Sequence, residues 1–173
     1  MDLAPLIRNV PDFPKAGIQF KDITTLLQYP DAFRHIIDGW KARYANQRIN
    51  AIVGMEARGF IFGGALAYAM GVPFVPVRKK GKLPARTIAA TYDLEYGTDT
   101  LEIHADALRK GDRVVIIDDL LATGGTVAAM ARLVSQLGAE IVEAAFVIEL
   151  PPLKGREKLA GIPVHTLVEF MVE

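Results

Sequence analysis

Apolar residues recur along this chain with two different periods, and the changes of period mark out its elements. Phe33, Ile36, Ile37, Trp40 and Tyr44 return every three or four positions after Pro30 and Asp31, which predicts a helix with one apolar face, opened by a proline. Ala51, Ile52 and Val53 follow as a strand. Val114 to Ile117 are four consecutive β-branched residues, the pattern of a central parallel strand covered on both faces, and this strand is expected to end at Asp118. Val127, Met130, Ala131, Val134 and Leu137 return to helical spacing, with Gly138 placed to stop the helix. Stretches from about Ile141 to Ile148 and from Val164 to Val168 are read as two further strands. Helix and strand signals therefore alternate, which predicts an α/β fold with a central, mainly parallel sheet flanked by helices.

Two segments depart from the alternation. Up to about Leu27 it is interrupted by Pro5, Pro11, Pro14 and Gly17. From Thr87 to Glu102, Ile88, Tyr92, Leu94 and Leu101 flank a turn containing Gly97, which predicts a hairpin or a flexible flap. The run from Gly59 to Val77 carries no charge, but Gly71, Pro73 and Pro76 break it. It reads as a buried helix ending near Gly71 and then a strand through Val75 to Val77, with the helix too short to cross a bilayer.

The bulk composition narrows the classes. At 173 residues the chain suits one domain (1–173), and a 51% hydrophobic content indicates a packed globule rather than a disordered chain. Twenty basic residues balance 20 acidic ones, so no global charge recruits nucleic acid or an anionic membrane. The chain has no cysteine, which removes disulfides, thiolate nucleophiles and sulfur metal sites. With Met1-Asp2-Leu3-Ala4 lacking a basic segment before an apolar core, a cytoplasmic location is expected. His35, His104 and His165 are scattered without metal-ligand spacing and are read as structural or surface residues. Phe60 and Phe62 read as core.

The chemistry concentrates beyond the β-branched run. Asp118 and Asp119 come at its carboxyl end, where open α/β sheets bind ligands. Ala122, Thr123, Gly124, Gly125 and Thr126 then form a loop whose glycines allow close backbone approach and whose amides and hydroxyls can donate. This loop opens a helix, where unpaired amides and the dipole favour an anion. Carboxylates beside a phosphate seat are reconciled by a ligand carrying hydroxyls, such as a ribose 5-phosphate: Asp118 and Asp119 accept from its 2- and 3-hydroxyls and help hold Mg2+ through water, while the loop takes the phosphate. An ordinary strand-to-helix turn is the alternative. The chain contains no G-x-x-x-x-G-K-[ST], and no G-x-G-x-x-G follows a strand, which disfavours nucleotide kinases and dinucleotide enzymes. Arg78, Lys79, Lys80, Lys82 and Arg86 form a basic cluster that can face a pyrophosphate or simply be solvated, with Gly81 and Pro84 making the loop mobile.

The hydrophobic strand, Asp-Asp, two residues and Ala-Thr-Gly-Gly-Thr resemble the binding signature of the type I phosphoribosyltransferases, which use 5-phosphoribosyl 1-pyrophosphate. Four more segments resemble the adenine-specific members in the same order: residues 13–23, 56–63, 78–84 and 92–97. The resemblance implies displacement of pyrophosphate by adenine to give AMP, in purine salvage, with Mg2+ as cofactor and a homodimer as the assembly. It implies an N-terminal lobe (1–27) over the base site, a core (28–173) and a flap at about 79–102. By family position Glu95 manages the proton and Tyr96 accompanies it when the flap closes.

Pyrophosphate is assigned by the same resemblance to Ala57, Arg58, Lys82 and Tyr96, with a cis Glu56–Ala57 peptide. From the residues alone Arg58 opens a second helix N-terminus or is a surface cation. By family position Phe20 and Leu120 sandwich adenine while the main chain near Gln19 and Lys21 reads its edge, although from the residues alone Phe20 also fits plain core packing. Lys21 stands where the family usually has Arg, Gln19 where it usually has an aliphatic residue, and Ala16 where it usually has Pro. Lys and Arg are not equivalent in a stacked or bidentate contact. Another purine base as acceptor, or a donor-sensing regulator that binds nucleic acid, are the rival readings; the short neutral chain offers no DNA-binding module for the latter.

Overall fold

The computed structural model describes residues 1–94 and 96–171. Strands β1 (Arg8–Pro11) and β2 (Gln19–Asp22) pair antiparallel in a small sheet of their own. Helix α1 (Pro30–Tyr44) follows, then β3 (Ala51–Met55), α2 (Arg58–Met70) and β4 (Phe74–Lys79). A hairpin of β5 (Thr87–Asp93) and β6 (Thr98–His104) precedes β7 (Arg113–Leu121), α3 (Gly125–Gln136), β8 (Glu140–Glu149) and β9 (Val164–Glu169). The main sheet has the order β5-β6-β4-β3-β7-β8-β9, with β4, β3, β7, β8 and β9 mutually parallel. The expected mainly parallel sheet is therefore present, and its one reversal is β6, antiparallel to both β4 and β5.

The β-branched run of β7 is explained by two cores. Val114 and Ile116 pack with Val53, Val127, Met130 and Val134 on the α3 face. Val115 and Ile117 pack with Ile52, Trp40, Phe62 and Leu66 beneath α1 and α2. Each of these four β7 side chains has lost all contact with solvent, and burial of a Val or Ile contributes about 1.5–3 kcal/mol. Gly71 ends α2 in the left-handed conformation at φ 68°, and Gly138 (φ 80°) closes the helix before β8, as the spacing predicts.

The Phe74 ring lies over two glycines: a Cβ at Gly54 would stand 2.9 Å from its Cε2, and one at Gly63 only 2.8 Å. Strand β3 can therefore approach α2 closely. Arg43 of α1 grips Glu143 of β8 with two bonds of 2.7 Å, and the Tyr44 hydroxyl donates to the same carboxylate at 2.6 Å. These bonds compensate a carboxylate that would otherwise be costly to bury.

Strand β7 runs three residues past Asp118, where it was expected to stop. Its pairing with β8 continues to Leu121, opposite Glu149, whereas pairing with β3 stops at Ile117, opposite Gly54. The two strands part from there on. The helix after β3 covers one face of the sheet and the helix after β7 the other, so this gap is the topological switch point at which open α/β sheets bind ligands. The hairpin joins β4 through the middle of β6, with Arg78 opposite Glu102 and Lys79 opposite Leu101 and the Lys80 amide donating to the Thr100 carbonyl. Among the described residues no helix is long and apolar enough to cross a membrane.

Candidate active site

A cavity of about 240 Å³ occupies the gap between β3 and β7, lined by residues 55–58 and 118–127. That is slightly smaller than the roughly 300–1,000 Å³ typical of drug-sized ligand pockets, so it suits a sugar phosphate, with a base extending past its rim. One wall is the start of α2. The Glu56–Ala57 peptide is cis. At Gly59 a Cβ would stand 2.9 Å from the Asp118 carboxylate, so only glycine lets the first turn of α2 lie against β7.

The opposite wall is acidic. Asp119 is 4% exposed and accepts from Arg58 Nε at 2.5 Å. Asp118, half-buried, accepts from the Asp119 amide at 2.8 Å. Burial, and then the neighbouring Asp119 charge, hold Asp118 well above the usual carboxylate range. A bound ligand offering hydroxyls or positive charge would relieve this strain on its ionised form.

Beyond the acids the chain turns at Gly124 (φ 79°) into α3. The turn is held by a residue that nothing in the surrounding pattern marks. A Cβ at Gly124 would clash with the Gly155 carbonyl, far inside van der Waals contact, and one at Gly155 would clash equally with the Ala122 carbonyl. The short 3-10 helix Gly155–Leu159 thus rides backbone against backbone over the glycine loop. A Lys-Gly pair after a strand reads as an ordinary turn, and only the fold shows what it supports.

Ala57, Arg58, Asp118, Asp119, Leu120, Ala122, Thr123, Gly124, Gly125 and Thr126 are brought together around the cavity. Phe20 does not line the cavity but lies beside it, with the Arg58 guanidinium 5.6 Å from the ring centre. Gln19 and Lys21 send their side chains to the other face of β2, as strand alternation requires. Both meet Asn9 there, whose amide donates to Gln19 Oε1 at 2.7 Å while its oxygen accepts from Lys21 Nζ at 2.8 Å. Lys21 is 7% exposed and lies 4.6 Å over the Phe170 ring, and its pKa is lowered by burial. Gln19 and Lys21, two of the three departures from the expected pattern, therefore share one partner, and only their main chain faces the Phe20 side.

Lys82 and Tyr96 do not line the cavity. Lys82 is exposed in the loop after β4, and Tyr96, 82% exposed, has Lys15 Nζ 5.9 Å over its ring. Glu95 lies outside the described residues. In the basic cluster Arg78 is held by Glu56 at 3.2 Å and Lys79 by Asp99 at 3.3 Å. Glu56 also accepts from the Lys79 amide, the main cause of its lowered pKa.

The pattern shared by phosphoribosyl transferase domains matches residues 22–161, most of the chain and the whole of the cavity lining. The chain belongs to the phosphoribosyltransferase family. Among the family's curated members it is 59% identical to the adenine phosphoribosyltransferase of Chloroflexus aurantiacus over 98% of each chain. The crystal structure of an adenine phosphoribosyltransferase from Thermoanaerobacter pseudethanolicus superimposes with a TM-score of 0.93 at 52% identity, covering 97% of this chain and 98% of that one. The Saccharomyces cerevisiae family member, solved with adenine and an imino-altritol bisphosphate, superimposes with a TM-score of 0.91 at 46% identity, covering 95% and 96%.

Proposed function

We propose that this chain transfers the 5-phosphoribosyl group from 5-phosphoribosyl 1-pyrophosphate to adenine, giving AMP and pyrophosphate in purine salvage. The carrying observation is that the acidic pair, Arg58 and the Thr-Gly-Gly-Thr loop all converge on one cavity at the switch point. The yeast relative's complex with adenine supports adenine over other purines as the acceptor.

In this reading the 5-phosphate sits on the amides of 123–126 and the ribose hydroxyls donate to Asp118 and Asp119. Arg58 and the Ala57 amide meet the pyrophosphate, with Lys82 and Tyr96 arriving from the flap. Adenine stacks between Phe20 and Leu120, its edge read by main-chain groups near Gln19 and Lys21. Its N9 forms a bond to C1 as the bond from C1 to pyrophosphate breaks, and the electron pair of that bond leaves with the pyrophosphate. Positive charge develops on the ribose at this moment, and the acidic pair is placed to stabilise it. The N9 proton passes to Glu95, assigned from family position, and a closed flap keeps water away.

Mg2+ fits this arrangement. Two adjacent carboxylates, one already engaged by Arg58, offer an ion contact through water and substrate oxygens rather than a complete donor set. When bound, Mg2+ neutralises the leaving pyrophosphate. The assembly is read as a homodimer: beyond Arg58 helix α2 carries no charge and exposes Ile61 and Tyr68, the latter 91% exposed, on a face that a second copy would cover. The compartment is read as cytoplasmic, and the chain as lobe, core and flap.

Incubation with the sugar donor, Mg2+ and each of adenine, hypoxanthine, guanine and xanthine tests the reading, with pyrophosphate release as the signal. Release with adenine is expected to dominate. Release with another base only, or salt-sensitive nucleic-acid binding without turnover, overturns it.

A further inference from the structure

We propose that Asn9 and Phe170 are positioning residues for the base: gripping the Lys21 ammonium from two sides, they fasten the small sheet to the main one and set the slot between Phe20 and Leu120. The inference rests on the functional reading above and deepens it at the adenine site. Phe20 and Leu120 belong to strands of different sheets, β2 and β7, so neither strand fixes the distance to the other. A contact between the sheets must do so, because a purine ring stacked between two side chains loses much of its attraction when their separation changes by even 0.5–1 Å or so.

Lys21 makes that contact. It is 7% exposed, and a buried ammonium needs compensation. No carboxylate supplies it among the described residues. Instead Asn9 Oδ1 accepts from Nζ at 2.8 Å, and Nζ lies 4.6 Å from the centre of the Phe170 ring. Lysine only donates, so it turns the Asn9 oxygen toward itself and leaves the Asn9 nitrogen to donate to Gln19 at 2.7 Å. Phe170 follows β9, and its amide donates to the Glu149 carbonyl at 3.0 Å. Glu149 stands opposite Leu121 in the ladder of β7 and β8, one residue past Leu120. The path from Phe20 to Leu120 thus runs through Lys21, Phe170, Glu149 and Leu121, each step a chain neighbour or a direct contact.

The same grip orients the edge of β2. Pro11 has no N–H, so its pairing with Gln19 is of the non-hydrogen-bonded kind, and the alternation of an antiparallel ladder makes Asn9 opposite Lys21 the same kind. The main-chain N–H and C=O groups of Gln19 and Lys21 therefore point away from β1, while those of Phe20 point into the ladder. Donors and acceptors alternate on that outer edge, which complements the 6-amino group and N1 of adenine. Side chains approach most closely across non-hydrogen-bonded pairs, which brings Asn9 within reach of both residues that flank Phe20.

The test compares initial rates of wild type, Phe170→Leu, Phe170→Tyr, Asn9→Leu and Asn9→Asp, with adenine and the sugar donor each varied. Phe170→Leu removes the ring and keeps much of the bulk, and Asn9→Leu removes the acceptor. Each is expected to raise KM for adenine about three- to tenfold, with KM for the donor within about twofold of wild type. Phe170→Tyr keeps the ring face and Asn9→Asp keeps an acceptor for Lys21, so both should hold KM for adenine within about twofold of wild type. A wild-type KM for adenine in either leucine variant overturns the proposal. So does an equal rise for the donor, or a failure of the two conservative variants to restore adenine. A wild type that uses another base only takes down the functional reading as well, whereas adenine turnover that the substitutions leave untouched removes this inference alone.

Discussion

Replacing Gly155 with alanine tests whether the loop that receives the phosphate is positioned from outside its own sequence. The added Cβ would be directed at the Ala122 carbonyl and would also stand 2.9 Å from Leu121 Cδ1, where real Cβ contacts are essentially never under 3.0 Å. The loop or the 3-10 helix must retreat by roughly 0.7–1 Å to reach an ordinary carbon–oxygen separation. Both elements are otherwise tied down, by the Arg156–Glu149 pair on one side and by the Leu150 amide bonded to the Leu121 carbonyl on the other. Overpacking of this kind costs about 1–3 kcal/mol, or a Tm lower by roughly 3–10 °C in a domain of this size. A displacement near 1 Å in a group that orients substrate costs about a hundredfold in rate. The expected outcome is therefore a folded protein whose kcat/KM for the sugar donor falls about a hundredfold, with KM for adenine within twofold of wild type, measured by initial rates with each substrate varied. Donor kinetics within threefold of wild type would show that the loop does not depend on this contact.

Phe20→Ala should raise KM for adenine roughly tenfold, given about 1–3 kcal/mol for a base–aromatic stack, while KM for the donor stays close to wild type; equal changes in both would remove Phe20 from the base site. Glu95→Gln should reduce kcat by about 10²- to 10⁴-fold and leave donor binding intact in calorimetry, and unchanged turnover would exclude Glu95 as the proton acceptor. Burial pushes the Glu143 carboxyl up, but its bonds from Arg43 and Tyr44 outweigh this and hold it below its ordinary range. Its stabilising contribution is therefore complete above the unfolded value of about 4.3 and is lost as pH falls through the lower folded value. Glu143→Gln should cost about 2–3 kcal/mol in urea denaturation at pH 7, less than a fully buried pair because Arg43 is partly exposed, and the difference from wild type should shrink below pH 4.

The most legible part of the chain was the run from Val114 to Thr126, because its strand, acids and loop are contiguous and each follows a local rule. The sheet core followed from the same alternation. The far end of β7 was misjudged because carboxylates are rare within a strand, yet pairing with β8 on one side alone suffices to extend it through both acids. The hairpin pattern was readable, but its attachment to β4, which reverses β6 within the sheet, depends on pairing between distant segments. Gly155 gave no signal, since its partners lie some thirty residues earlier and meet it only through folding. Gln19 and Lys21 looked like two separate departures, and only the pairing of β1 with β2 shows that Asn9 joins them.

The Phe74 ring resting on Gly54 and Gly63 has an evolutionary corollary. Enlarging either small residue collides with the aromatic group, while trimming that group alone opens a void between β3 and α2. These three positions can change only in concert, with the ring reduced before either neighbour grows. Descendants of this sequence should therefore cross that spot by way of a destabilised intermediate, or keep all three residues as they are.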